Sequence, residues 1–295
     1  MELTRFGACP LCGSARIRRY RTGSFDPAQL ESDHFRITDS RYGSLWNLDR
    51  CRDCTYVFAN PAPDAATVEG FYRGLVDDEY DEESRGREKN FATVLRRLKR
   101  LCPPGNRLLD VGAASGIFMN LAADAGYAVD GIEPSRYLCR EAEARTGRKV
   151  FCGTLSTFPP VEPYAVITLL DLIEHVTEPN GLLAAVSARL QTGGLVVLVT
   201  PDIGSLAARL SGRRWWHFRV AHINFFNRRS ATRLLERHGL EIVRRRRYAW
   251  HFTPYYLLTR LFPGLRHRAA LQKWFKRVHL KLQLFDSWEI YARKV

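Results

Sequence analysis

From Arg107 to Lys294 the chain alternates between two hydrophobic rhythms. Runs that are apolar at most positions, over Arg107–Val111, Tyr127–Glu133, Lys149–Cys152, Tyr164–Asp171 and Leu195–Thr200, read as buried strands. Between them Ser115–Ala125, Pro134–Arg145 and Glu178–Leu190 read as helices, closed by Gly126, Gly147 and Gly193-Gly194. Strands separated by helices imply parallel β-α-β units with right-handed crossovers, an α/β architecture. Residues 201–230 interrupt the rhythm with a Trp- and His-rich segment. A helix over Ser230–His238, a strand from Leu240 and a last strand over Ser287–Lys294 follow. Residues 255–285 are expected to be largely helical, broken at Pro263-Gly264.

Upstream the pattern differs. Phe91, Val94, Leu95, Leu98 and Leu101 recur at helical spacing with basic residues between them, and Cys102-Pro-Pro-Gly105 stops that helix. Residues 1–62 form a loop-rich unit bracketed by Cys9/Cys12 and Cys51/Cys54 and closed by Asn60-Pro-Ala-Pro63. The organisation read from this is a zinc unit at 1–62, a helical linker at 63–104 and a main domain at 105–295. Substrate-lid insertions are placed at 201–230 and 250–286.

The cysteines sharpen the first unit. Four thiolates in two Cys-x-x-Cys knuckles suit tetrahedral zinc, and four protein ligands make the site structural. Gly13 relieves the backbone after one knuckle, whereas Thr55 stands where the other usually has glycine. Cys102, Cys139 and Cys152 stand alone. With no basic-then-apolar leader and no apolar run long enough to span a bilayer, the expectation is a soluble cytoplasmic protein.

Charge alters the picture only locally. The net charge is +14, but only seven of the 45 basic residues are lysines, so an arginine-rich genomic bias accounts for the excess as readily as nucleic acid does. No acid occurs from Ile242 to Phe285, a stretch holding Arg244–Arg247 and a basic run to Lys281. A single-sign block of this kind favours an anionic partner, whether phosphate, RNA or a membrane surface. Ala270, Leu271, Trp274, Phe275, Val278 and Leu282 mark an apolar stripe, read first as core packing and otherwise as peripheral membrane contact.

The most informative stretch is Leu108-Leu109-Asp110-Val111-Gly112-Ala113-Ala114-Ser115-Gly116, a buried strand running into a small-residue turn that opens a helix. A dinucleotide site would ask for G-x-G-x-x-G, and this turn reads G-x-A-x-G. Glu133 ends the next strand, where an acid chelates two ribose hydroxyls, and Asp171-Leu-Ile-Glu174-His175-Val176 follows the fourth. In these elements the sequence resembles the class I S-adenosylmethionine (SAM) dependent methyltransferase family over roughly residues 91–295. The resemblance implies a Rossmann-like sheet and SAM as cofactor. It implies a pocket of Asp110, Gly112, Ala113, Ala114, Gly116, Glu133, Pro134, Leu155 and Asp171. Ala113 and Ala114 depart from the Cys or Gly of many members.

Candidate proton acceptors lie in Trp215-Trp216-His217-Phe-Arg-Val-Ala-His222-Ile-Asn-Phe-Phe226. His222 ranks first, because its setting resembles an H-x-x-x-F segment in deoxysugar and quinone-pathway methyltransferases. His175 ranks second and His217 completes the set. Glu174 and His175 also resemble metal-binding positions of quinone-pathway enzymes, a minor alternative. The absence of [DN]-P-P-[YF] after the fourth strand argues against nucleobase amino-group methylation. The reading is methyl transfer to a small molecule: a nucleotide sugar, a glycan or lipid-linked intermediate, or a secondary metabolite. An RNA methyltransferase and a non-catalytic scaffold remain as alternatives.

Overall fold

The computed structural model describes residues 2–39, 41–77, 84–255, 258 and 278–295. The amino-terminal unit holds β1 (Leu3–Thr4), β2 (Ile17–Arg21), β3 (Leu48–Cys51), β4 (Val57–Ala59) and β5 (Ala62–Pro63). Two helices follow, α1 (Ala65–Gly74) and α2 (Ser84–Lys99). The alternating region gives β6 (Arg107–Val111), α3 (Ile117–Asp124), β7 (Ala128–Glu133), α4 (Arg136–Thr146), β8 (Val150–Cys152), β9 (Tyr164–Leu170), α5 (Pro179–Arg189) and β10 (Leu190–Pro201). The remainder comprises α6 (Leu206–Ser211), β11 (Asn224–Phe225), α7 (Arg228–Arg237), β12 (Leu240–Arg247), β13 (Trp250–Phe252), β14 (Leu280–Leu282) and β15 (Ser287–Lys294).

Seven strands form one sheet in the order β12-β15-β10-β9-β6-β7-β8. β15 pairs antiparallel with both β10 and β12, and the pairs from β10 to β8 are parallel. The order reverses beside β6, so the crevice at the carboxyl ends of β6 and β9 is the ligand-binding edge of such a sheet. Because β15 runs the other way, its first residue, not its last, lies at that edge: Ser287 registers with Pro201.

Both faces are covered, which explains the nearly continuous apolar strands. Leu109, Ile167, Val196 and Leu198 face α5, α7 and the cysteine knuckles, while Leu108, Val166, Val197 and Val199 face α2 and α3. The segment read as a linker packs on the fold: α2 lies on α3 and β13, and α1 on α4. The expected helix over 255–285 requires a correction, since Leu280–Leu282 is a strand paired with β13. Most of that expected helix, with Ala270, Leu271, Trp274 and Phe275 of its stripe, lies outside the described residues. Cys139 and Cys152 do not stand alone either. A disulfide joins them between α4 and β8, with Cα atoms 6.0 Å apart, while Cys102 is free and exposed.

The amino-terminal unit and the segment after β10 share a sheet, β11-β4-β3-β2. Asn224 pins this junction. Its side-chain amide donates to the carbonyls of Ile173 (3.2 Å) and Val176 (2.5 Å), and its oxygen accepts the Tyr56 hydroxyl. The Glu174 carbonyl accepts the amides of Ile223 and Asn224, each at 3.0 Å. Replacing Asn224 by Ala strips two buried carbonyls and one buried hydroxyl of a partner. We expect a loss of about 2–3 kcal/mol, scaled from the cost of buried unsatisfied groups, read from urea unfolding midpoints.

Candidate functional site

The four cysteines converge as the spacing implied. Cys9 and Cys54 sulfurs lie 3.6 Å apart, as do those of Cys12 and Cys51, and all four fall within 4.8 Å of one another. Tetrahedral zinc at ~2.3 Å from each sulfur separates the sulfurs by about 3.8 Å, so the set fits the ion. The amides of Asp53 and Cys54 point at Cys51 Sγ, at 3.4 and 3.5 Å, and stabilise a thiolate there. Thr55 takes the left-handed conformation of the absent glycine, φ 64°. Its hydroxyl bonds Cys54 O at 2.6 Å and Asn227 Oδ1 at 3.1 Å, holding a conformation a β-branched residue resists.

At the cofactor edge, the turn after β6 uses three left-handed residues, Gly112 (φ 79°), Ala114 (φ 48°) and Gly116 (φ 77°). A Cβ on Gly116 would lie 3.0 Å from Ala142, so glycine there sets how closely α3 approaches α4. Ala114 adopts the same backbone with a Cβ, at a cost of about 1–2 kcal/mol. Its amide donates to Glu133 Oε2 at 2.9 Å, and the Ser135 amide donates to Oε1 at 2.9 Å. Each Glu133 oxygen thus keeps a lone pair beside a turn of small residues. Two ribose hydroxyls, both donors, match that acceptor pair, so the residues fit an adenosyl cofactor.

Asp110 accepts the Thr168 hydroxyl at 2.6 Å at the end of β6. Burial pushes its carboxyl up to about 7, against the Thr168 bond, and burial also pushes Glu133 up to about 7, against its two amides. Pro134 is half-buried behind Glu133, and Leu155 packs in the core with Leu109 and Ile132. Asp171 has φ 53° and a carboxyl that burial raises to about 7, with Arg87 opposing and Asp286 adding to the shift.

The three candidate histidines come together although they are distant in sequence. His175 and His222 rings meet edge-on at 4.6 Å, and His217 stacks on His222 at 5.9 Å. Trp215 lies 5.0 Å from His217 and is fully buried, and the half-buried Trp216 lies 6.0 Å away. Their environments differ. Burial, then Arg219, pushes His175 down to about 3; burial, then His175 and Arg219, pushes His222 well below the usual imidazole range. Both are therefore neutral near pH 7. Glu174, His175 and His222 each bring a donor atom within 4.8 Å of the others. Thr200 donates to Glu174 at 3.0 Å, and burial with Asp171 nearby holds that carboxyl well above its ordinary range. Burial thus shifts all three groups towards their neutral forms.

Two participants escape a reading of the sequence. Tyr72 Oη lies 3.0 Å from His175 Nδ1, which also faces Ala221 O at 3.1 Å. Tyr72 sits in α1 without a motif to mark it. Asp286 does carry a mark, as the first acid after the acid-free run, and it lies 3.1 Å from His217 Nε2. Arg247, from the basic block, pairs with Asp202 at 2.6 Å and stacks on Trp288 at 3.6 Å. Arg245 donates to Thr232.

The profile of a family described as "Methyltransferase domain" matches residues 82–245, more than half of the chain. The chain belongs to the class I SAM-dependent methyltransferase family. Among curated relatives, the ubiquinone biosynthesis O-methyltransferase of Bradyrhizobium sp. (strain ORS 278) is 29% identical over 104 residues, covering 34% of this chain and 41% of that protein. That of Bordetella avium (strain 197N) is 34% identical over 107 residues, covering 32% and 43%. The chain thus spans about two-fifths of the length of the curated relatives it matches. Magnesium protoporphyrin IX methyltransferase from Synechocystis PCC 6803, crystallised with SAH, superposes with a TM-score of 0.54 at 13% identity, covering 79% of this chain and all of that one. A SAM-dependent methyltransferase from Archaeoglobus fulgidus gives 0.51 at 17% identity, covering 73% and 98%. At such identities the likeness concerns the fold alone.

Two measurements test the site. One equivalent of zinc per chain is expected from metal analysis, lost in Cys51→Ser together with a lowered Tm. SAM affinity, measured by calorimetry, is expected to weaken as pH falls below about 7, because the ionised carboxylates accept the cofactor's hydrogen bonds and both must then give up a proton. The slope approaches roughly tenfold per pH unit for each carboxyl involved. The same shifts act oppositely on folding: a carboxyl raised in the native state binds more protons there. Its contribution to stability falls as pH rises between its unfolded value and about 7.

Proposed function

We propose that this methyltransferase transfers the methyl group of SAM to a small molecule. The acceptor class remains that of the sequence reading: a nucleotide sugar, glycan or lipid-linked intermediate, or a secondary metabolite. The observation that carries the proposal is the enclosure of the three imidazoles. They lie under an aromatic segment that β11 ties to the amino-terminal unit. Trp46 Nε1 donates to Val220 O at 2.8 Å, and Arg219 donates to Arg36 O at 2.6 Å and Ile37 O at 3.1 Å. Contacts that hold the histidine segment against the amino-terminal unit in this way suit a compact acceptor better than a polynucleotide. The two named relatives are O-methyltransferases of ubiquinone biosynthesis, which agrees with a small acceptor.

SAM supplies an electrophilic methyl group on a sulfonium. The protein's part is to hold donor and acceptor in line and to receive a proton. Glu133 would hold the adenosine, Asp110 would accept from the amino-acid tail, and the small side chains of Ala113 and Ala114 would let the cofactor lie against the turn. The zinc unit acts at a distance, by anchoring the segment that carries His217 and His222.

The test is to incubate the protein with methyl-labelled SAM and an extract of the source organism, then separate small molecules and lipids from RNA. Label is expected among small molecules or lipids, with loss of transfer in Glu133→Ala. Label in RNase-sensitive material would move the assignment to RNA. No label with any fraction, despite SAM binding, would leave a scaffold.

A further inference from the structure

We propose that His217 is the proton acceptor of the methyl transfer, that Asp286 positions it, and that the acceptor group is consequently a weakly acidic hydroxyl. This rests on the methyltransferase reading above. It differs from the ranking that the sequence suggests, where His222 came first.

The three imidazoles are close neighbours with different surroundings. His175 and His222 are buried, beside Arg219 and each other, so a proton on either is disfavoured. Of these three, His217 is the one paired with a carboxylate. Asp286 Oδ2 lies 3.1 Å from its Nε2, and the Asp286 side chain is fully buried. Trp215 Nε1 donates to the same oxygen at 3.3 Å, and Ser287 Oγ lies 3.5 Å from Nε2. Asp286 Oδ1 is buried with no hydrogen-bond partner. Most of that carboxylate's hydrogen bonding is therefore directed at one imidazole and the tryptophan beside it. Such a carboxylate fixes the tautomer with hydrogen on Nε2 and the lone pair on Nδ1, and it stabilises the imidazolium that forms on protonation. The His217 ring is not sealed: its side chain keeps 12% exposure, as a group that must receive and release protons requires.

The position is also right. The antiparallel sense of β15 brings Asp286 to the edge where β9 and β10 end, and the Asp202 amide donates to its carbonyl at 2.7 Å. Asp171, at the end of β9, feels its charge. The groups that face or act on this pair are Ser287, Trp215, Trp216, His222, His175 and Asp171.

The step balances as follows. The acceptor hydroxyl gives its proton to His217 Nδ1 as an oxygen lone pair forms the bond to the methyl carbon. The methyl–sulfur bond breaks, its electrons stay on sulfur, and the products are a methyl ether, S-adenosylhomocysteine and an imidazolium that later loses its proton to water. A neutral amine already offers its lone pair and needs no base before attack. A carboxylate-supported imidazole is of most use to a hydroxyl.

The experiment uses full-length wild type, His217→Gln and Asp286→Asn with methyl-labelled SAM and the small-molecule fraction of a source extract. SAM affinity is measured in parallel by calorimetry. Both variants are expected to bind SAM within about twofold of wild type, and His217→Gln to slow label transfer by about 100-fold or more. A split of kcat from the KM for SAM separates positioning from scaffolding. Asp286→Asn is expected to lower kcat by about 10-fold or more with the KM for SAM within about twofold of wild type, and Asp286→Glu to restore part of the rate. The labelled product is expected to be an O-methyl ether. Wild-type rates in His217→Gln, an unchanged kcat in Asp286→Asn, or an N-methyl product would each overturn the assignment. If wild type itself binds SAM but labels nothing, the methyltransferase reading fails and takes this one with it. If His217→Gln does not fold, the Asp286→Asn kcat and the product's identity still decide.

Discussion

The pairing of β11 with β4 is the contact on which the rest of the site depends. Two residues of the segment after β10 add a strand to a sheet whose other members belong to the cysteine unit. β3 ends at Cys51 and β4 begins at Val57, so the second pair of ligands, Cys51 and Cys54, and the strand that receives β11 lie on one short hairpin. A hairpin alone is marginal in water. Thiolates bound to zinc would supply a cross-link of many kcal/mol, as metal-driven folding of small domains does. The knuckles are also held from below: Asn180 donates to Pro10 O at 2.7 Å, and Arg237 donates to Leu11 O at 2.9 Å. The unit is a bracket between the back of the sheet and the segment that roofs its front edge.

The cofactor edge shows a second constraint, the cost of concentrating acids where water is excluded. Asp110, Glu133, Asp171 and Glu174 all stand at strand ends, and burial raises every one. Backbone amides and hydroxyls from Ala114, Ser135, Thr168 and Thr200 offset part of that cost. Ala114 and Asp171 also sit in left-handed conformations that a side chain resists. Strain and perturbed carboxyls coincide on one edge, as expected where a binding site has been built at the expense of stability.

Most of the sheet was legible in the sequence because strands buried on both faces leave a strong apolar record, and glycines mark the helix ends. The seven strands of the main sheet appear where periodicity placed them, with ends shifted by a few residues. Thr55 and Ala114 were recognised as departures, but only the backbone shows what each costs. The pairings that organise the site were not legible. β11 is two residues long, too short for any alternation. Tyr72 lies in a helix whose apolar residues read equally well as packing. Sequence also cannot say that β14 is a strand when Leu282 continues the helical stripe through Val278, since three residues fit either period. Nor does it rank three histidines, because burial and partners come from segments as far as 103 residues away.

The basic block takes on a different meaning once placed. Arg247 pairs with Asp202 and stacks on Trp288, and Arg245 lies over the same indole and bonds Thr232. These guanidinium groups clamp β12 and β15 to the turn after β10. That turn contacts the Asp286 carbonyl through the Asp202 amide. An arginine that neutralises Asp202 leaves the neighbouring Asp286 carboxylate facing His217 rather than a competing cation. Part of the charge that invites a nucleic-acid reading is thus spent inside the protein, fixing the strand that delivers an acid to the reactive edge.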